Sequence, residues 1–181
     1  FSNDMERLAS TGAVTGDTCV GGLFGAFASK LTDAYSVNVV KGHYWVGGVM
    51  GGANLDFHNA DTVLNVYSAS LVKGPRNRIE GIAGSVENSY YDEKYADIYF
   101  DSTLMPSEWQ VDRYELGEAL PTDSLLKRAT FKGFDFESVW TIQEGVSYPY
   151  FKGMEPSLPG TLVDDGTSYA LVGEGTAEKP F

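Results

Sequence analysis

The chain is poor in the residues that build metal centres, and it has no run that could cross a membrane. Cysteine occurs once, at Cys19, and histidine twice, at His43 and His58. One thiol forms no internal disulfide and no thiolate cluster, and two histidines 15 residues apart match no metal-ligand spacing. Basic residues are also scarce: 13 Lys and Arg stand against 25 Asp and Glu, for a net charge of −12. Nucleic acids and anionic membrane surfaces are bound through basic patches, so this balance argues against both. No apolar run approaches the roughly 18 residues of a membrane-spanning helix, which predicts a soluble chain. The glycine runs carry no "GKS" or "GKT" and follow no strand-helix-strand unit with a trailing acid, which excludes a nucleotide loop. A GxSxG nucleophile elbow is missing as well.

What is abundant points to β-structure. Among 181 residues there are 21 Gly, 11 Tyr and 10 Phe, the mixture of tight turns and aromatic strands expected of an all-β protein. The length suits one medium domain, or a domain with appendages, able to bury a core without covalent staples. The opening "FSNDMERLASTGAV" enters directly into patterned sequence and reads as the start of a fragment or a processed piece.

The pattern is a repeat. "VTGDTCVGGLFG" (Val14 to Gly25), "VKGHYWVGGVMG" (Val40 to Gly51) and "VKGPRNRIEGIAG" (Val72 to Gly84) align on Gly16, Gly42 and Gly74, and again on Gly22, Gly48 and Gly81 and on Gly25, Gly51 and Gly84. Gly16 to Gly42 is 26 residues and Gly42 to Gly74 is 32, the longer spacing holding the insertion "ANLDFHNADTVL". A second element follows each copy: "DAYS" with Tyr35, "NVYS" with Tyr67 and "NSYY" with Tyr90, while Ala9 holds the tyrosine position of a preceding unit. Repeats of this length with short β-runs predict a solenoid, in which each unit buries its apolar face against its neighbours. The paired glycines then serve positive φ and close backbone approach where the chain bends. Tyr35, Tyr67 and Tyr90 should stack as an aromatic ladder, and Asp33, Asn65 and Asn88 as a polar one.

"VTGDTCVGGLFG" and "VKGHYWVGGVMG" resemble the GLUG repeat of secreted bacterial proteins; the third copy departs from it, with Glu80 in place of the first glycine, as suits a terminal unit. A later stretch, "ATFKGFDFESVWTIQEGVSYPYFKG" (Ala129 to Gly153), is similar to the ending that closes such arrays, so the likeness covers residues 7–92 and 122–153. The resemblance implies a secreted, cell-surface location in large adhesins or in non-catalytic regions of extracellular peptidases.

Four regions are expected. Residues 1–92 form the repeat array, a short right-handed β-solenoid, and residues 93–121 a loop-rich excursion without repeat. Residues 122–153 cap the open β-edge, with Thr122 as N-cap of one short helix and Trp140, Phe134, Phe136 and Tyr150 as cap core. Residues 154–181 are a proline-stiffened linker, a hairpin turned on Asp165-Gly166, and the start of a further β module.

The candidate functional residues are aromatic. "HYW" replaces the "DTC" of the first copy, so Tyr44 and Trp45, with Trp109 of the excursion, are candidate sugar-stacking groups. The competing and favoured reading packs Tyr44 and Trp45 beneath the excursion. Gly22, Gly25, Gly48 and Gly51, with the tyrosine ladder and Trp140, are structural. Asp92, Glu93, Asp97 and Asp101 are the acids of a minor glycan-hydrolysing alternative, lacking an accompanying basic column. No cofactor is expected, although "VDDGTSY" and "YDEKYADIYFD" are places for structural calcium without the spacing of a calcium loop. Cys19, with no activating neighbour in sequence, reads as a packed thiol. Together these features predict a non-catalytic segment of a surface protein, for adhesion or rigid presentation. The alternative is a carbohydrate-binding accessory region of an extracellular enzyme or a phage fibre. Partners would be surface glycans or proteins of host or bacterium.

Overall fold

A computed structural model describes residues 4–54, 62–75, 79–87, 95–107, 109, 115–160, 162–164 and 169–171. The protein is mostly β and its main sheets are parallel. Strands are dealt out in rounds. The first round supplies β1 (Asp4–Thr15), β2 (Thr18–Gly21) and β3 (Phe24–Phe27), and the second β4 (Lys30–Lys41), β5 (Tyr44–Gly47) and β6 (Met50–Asn54). The third supplies β7 (Thr62–Ser68) and β8 (Leu71–Lys73), then β9 (Ile79–Glu80) and β10 (Val86–Glu87). Beyond them come β11 (Tyr95–Asp101) and β12 (Glu118–Leu120). One strand of each round joins each of three sheets: β1-β4-β7-β11-β12, with β8 also on β4; β2-β5-β9; and β3-β6-β10.

The repeat spacing sets the register. Ala9 pairs with Tyr35, Tyr35 with Tyr67, Val20 with Val46 and Phe24 with Met50. The third tyrosine rung differs from expectation. Tyr99 pairs with Tyr67, and Asp97 follows Asp33 and Asn65 at their special backbone position. Asn88 and Tyr90 lie outside the described residues. The motif filling the third place is therefore "DIYF", Asp97 to Phe100, inside the stretch expected to be an excursion. Ile98 and Phe100 point into the same core as Val63 and Val66 while Tyr99 points to the opposite face, the alternation a strand requires.

Positive φ also falls elsewhere than expected. None of the paired repeat glycines has it; Arg7, Asp33, Asn65 and Asp97 do, at φ 54–56°, as do Cys19 and Trp45 at 54° and 53°. These residues drop out of the ladder, so Glu6 pairs with Thr32 and Leu8 with Ala34 while Arg7 and Asp33 are skipped. Each strand bends there, and Asp and Asn tolerate the left-handed conformation better than most side chains. The repeat glycines answer to space instead. A Cβ on Gly22 would run into Ser36 Oγ and the Gly48 carbonyl, and one on Gly48 into Ser68 Oγ and the Gly81 carbonyl. One on Gly51 would meet the backbone of Cys19 and Val20, whereas Gly25 is looser, its nearest contact being the Cys19 carbonyl at 3.0 Å.

The three sheets share one core, built of Val20, Leu31, Val46, Met50, Val66, Ile79, Ile82 and Phe100 among others. A second core lies on the outer face of the first sheet, where Tyr35, Tyr67 and Tyr99 meet Phe131, Phe134, Trp140, Tyr148 and Phe151. The long sheet is buried on both faces, so β4 is buried throughout "AYSVNVV", and its polar Ser36 and Asn38 are satisfied by hydrogen bonds to each other and to Ser70. The C-terminal segment thus covers the tyrosine face of the sheet, where a cap on the strand edge was expected. Trp140 and Phe134 are buried there, and Phe136 and Tyr150 are half-buried.

The helix is α1 (Thr122–Leu125), with Pro121 at its N-cap. Thr122, the expected cap, is its first residue, and its hydroxyl donates to Asp101 Oδ2 at 2.6 Å. The remainder of the segment is mostly turns around the short antiparallel pair β13 (Trp140–Thr141) and β14 (Tyr150–Phe151). A hairpin of β15 (Leu162–Asp164) and β16 (Tyr169–Leu171) follows; the expected turn residues Asp165 and Gly166 lie outside the described residues.

Candidate functional site

The two strand-bending positions of the second sheet, Cys19 and Trp45, define a corner. Left-handed φ there turns β2 and β5 out of line, with Thr18 paired to Tyr44 before the bend and Val20 to Val46 after it. The valines go into the core and the bent residues stay outside it. Trp45 is 38% exposed and Tyr44 50%. The favoured sequence reading, burial beneath the excursion, is not what the structure has: both rings face solvent.

Beside Trp45 the chain leaves space. Ala26 pairs with Gly52 across β3 and β6, and Ala53 follows beside Phe27, so small residues stand together there. An open cleft of about 300 Å³ forms over them, walled by Trp45 and Cys19, with Phe27, Ala28, Asn54 and Ser85 completing its lining. Its surface is apolar apart from the Asn54 amide, the Ser85 hydroxyl and the thiol. A flat ring beside a few neutral hydrogen-bonding groups can stack an apolar face of a ligand and orient it.

Trp109 does not join this site. Its ring packs edge-on to Phe100 at 5.4 Å and 88°, and its indole N–H donates to Glu80 Oε2 at 3.4 Å. His43 lies near the corner, where its Nδ1 is 2.9 Å from Asp17 Oδ1 at an exposed position. His58 lies outside the described residues.

Of the acids of the hydrolytic alternative, Asp97 and Asp101 have structural partners. Asp97 Oδ1 accepts from the Tyr99 hydroxyl at 2.9 Å. Asp101, buried, accepts from Thr103 N and Oγ1, Thr122 Oγ1 and the Tyr148 hydroxyl, the last three at 2.6 Å. Burial first, then the Asp101 charge and hydrogen bond, push the Tyr148 phenol well above its ordinary range. Asp92 and Glu93 lie outside the described residues. Among the described residues no group of three or more His, Cys, Asp or Glu is placed to hold a metal ion. Of the two calcium stretches, "VDDGTSY" and "YDEKYADIYFD", the middle of the first and the start of the second lie outside the described residues.

Sequence reasoning picked out Tyr44 and Trp45 through the "HYW" for "DTC" exchange but missed the floor of the cleft. The signal for it was present, since the same alignment sets Ala26 against Gly52. Small residues at matching positions of adjacent strands leave a trough wherever a bulky neighbour stands beside them.

The fold and the cleft define a mostly-β protein whose main sheets are parallel, with a solvent-facing aromatic corner. No family model, no curated protein and no solved structure matches the chain. No helix among the described residues is long and apolar enough to cross a membrane.

Proposed function

We propose that the chain is a short right-handed β-solenoid of the GLUG type, a non-catalytic segment of a secreted bacterial cell-surface protein that serves adhesion or rigid presentation. The observation that carries this reading is the unbroken register Ala9, Tyr35, Tyr67, Tyr99 across four parallel strands, coupled to two further parallel sheets around one core. Such an array transmits position along its length, because each round is fixed by the one before it. The acids Asp97 and Asp101 are engaged in bonds that position strands and the helix, which fits a structural role. The test is attachment. Surfaces coated with the protein should retain bacterial or host cells while releasing no products from a panel of polysaccharides. Turnover that disappears in Asp92→Asn would sink the non-catalytic reading.

A second reading, a carbohydrate-binding accessory region of an extracellular enzyme or phage fibre, is favoured by one observation: Tyr44 and Trp45 are exposed beside an apolar cleft. It expects a positive glycan array that becomes blank in Trp45→Ala. An array blank for the unaltered protein, with cell attachment indifferent to Trp45→Ala, leaves adhesion or presentation standing alone.

A further inference from the structure

Two residues beside the corner are not accounted for by the fold. Trp45 is the first. Its φ of 53° is left-handed, a costly conformation for a bulky side chain, and its ring belongs to neither core. The second is Gly52, in β6. Its backbone is not left-handed, and a Cβ on it would meet nothing nearer than Cys19 Sγ at 3.9 Å. Gly51 is the opposite case, since a Cβ there would lie 2.1 Å from the Cys19 carbonyl carbon. Glycine weakens a strand, and at position 52 neither space nor backbone requires it. What Trp45 and Gly52 share is the cleft: the first is its wall, and the missing side chain of the second keeps it open.

The chemistry of the lining narrows the occupant. Among the described residues no Asp, Glu, Lys, Arg or His lines the cleft, so it offers no partner to a charged ligand, and the net charge of −12 repels anions. Its side-chain hydrogen-bonding groups are the neutral Asn54 amide and Ser85 hydroxyl, and Ser85 is held in place by its carbonyl, which accepts from Ala53 N–H at 2.8 Å. A volume of about 300 Å³ stands at the lower end for small-molecule sites and suits one ring. The occupant is therefore uncharged, with an apolar face for the indole and hydroxyl groups for an amide and a hydroxyl. A pyranose has both, since its ring C–H groups form a face while its hydroxyls project from the rim.

We propose that the cleft takes a single uncharged pyranose residue, its C–H face against the Trp45 ring and its hydroxyls directed to Asn54 and Ser85, with Gly52 as the residue that admits it. The inference rests on the carbohydrate-binding reading above and names the sugars that reading serves: neutral ones, recognised one residue at a time. The rest of a glycan leaves through the open side of the cleft. Cys19 borders the same space, so a bound ring covers its thiol. One ring held by one aromatic face and two neutral groups binds weakly, with a Kd on the order of 1 mM.

The probes are the methyl glycosides of glucose, galactose, mannose and N-acetylglucosamine, with glucuronate and choline as charged counterparts, added to the whole chain. In an NMR titration at least one neutral glycoside should shift the Trp45 indole together with the Gly52, Asn54 and Ser85 amides, and the charged probes should not. Alkylation of Cys19 by iodoacetamide, followed by mass spectrometry, should slow about tenfold at a glycoside concentration about ten times its Kd. Gly52→Val leaves Trp45 in place and fills the cleft, so shifts and thiol protection should both vanish; the thiol measurement on the unaltered protein stands if that variant does not fold. Trp45→Asn, an exchange the left-handed backbone favours, should abolish binding as well. A glycan-array signal that is lost in Trp45→Ala, with Cys19 alkylated at an unchanged rate or Gly52→Val binding as before, overturns the cleft and leaves carbohydrate binding standing. A blank array with no shift from any neutral glycoside overturns both. Glucuronate or choline binding more tightly than every neutral probe overturns the uncharged occupant.

Discussion

The Tyr35 and Tyr67 rings lie stacked, with centroids 5.4 Å apart and planes 5° from parallel, although the residues are a whole round apart in the chain. Trp140 closes on both, at 5.8 Å from Tyr35 and 6.1 Å from Tyr67, and its indole N–H donates to Asp33 Oδ1 at 2.9 Å. Asn65 Nδ2 donates to the same oxygen at 3.1 Å. The outer core is therefore a ladder of strand residues clamped by a segment from the far end of the sequence.

Tyr67 is the centre of that clamp, since its hydroxyl donates to the Pro149 carbonyl at 2.5 Å in a buried place. Tyr67→Phe should cost about 1–3 kcal/mol by leaving that carbonyl without its donor. Tyr67→Ala should cost about 3–5 kcal/mol through the cavity. Urea unfolding curves with unchanged slopes measure both, and a Tyr67→Phe variant as stable as the unaltered protein would contradict the role of the hydroxyl.

Alkali should unfold the protein through the same core. Burial is the leading cause that pushes the Tyr67, Tyr99 and Tyr148 phenols above their ordinary 10.0. Raised folded values stabilise fully below about pH 10 and lose that contribution as pH climbs through them. Phenol ionisation and loss of β-structure should then occur together above about pH 10, and Tyr148→Phe should move the transition upward.

The glycine columns make unequal demands. Gly48→Ala forces a Cβ against Ser68 Oγ and the Gly81 carbonyl and should cost about 3 kcal/mol or more. Gly25→Ala, whose nearest contact is at 3.0 Å, should cost about 1 kcal/mol or less. Thermal denaturation of the two variants side by side decides whether close approach is the reason for the repeat glycines.

At the strand bends the expectation reverses, because the left-handed residue is itself the strain. Arg7 shares the column of Asp33, Asn65 and Asp97 at φ 56°, with an exposed side chain. Arg7→Asn should raise stability by up to about 1 kcal/mol. An unchanged or lowered melting temperature would remove that account of the column.

The tryptophans should separate stability from contact. Trp109→Ala removes a ring packed on Phe100 and should cost about 3 kcal/mol. Tyr44→Ala, on an exposed ring, should fall within about 0.5 kcal/mol of the unaltered protein. Any glycan bound at the corner should be lost with Trp45→Ala and kept by Trp109→Ala once that variant is shown to be folded.

Glycine spacing and tyrosine placement were enough to align Gly16 with Gly42 and Gly74, and the sheets keep those offsets: Gly16 N–H bonds to Lys41 O and Gly42 N–H to Lys73 O. A repeat is legible because stacked strands demand the same residue kinds at the same heights. "NSYY" and "DIYF" both fit the third tyrosine element on local grounds; sequence similarity favoured the first, which lies outside the described residues, and the strand beside Tyr67 is the second. Burial chose Tyr99, since only a strand that sends Ile98 and Phe100 inward completes the inner core. Left-handed φ at Asp33 and Trp45, and its absence from the paired glycines, was invisible for a related reason: where a strand bends is set by the sheets it must join.

Composition and period thus determined a mostly-β chain with a repeated parallel register, because periodic burial writes itself into residue spacing. Tertiary structure alone decided that the C-terminal aromatics cover the face of the tyrosine sheet, that Trp45 stands at an open cleft, and that Glu115 accepts from the amides of Gly81 and Ile82. Those contacts join residues far apart in the chain, and no local pattern records which distant partner will fill a given space.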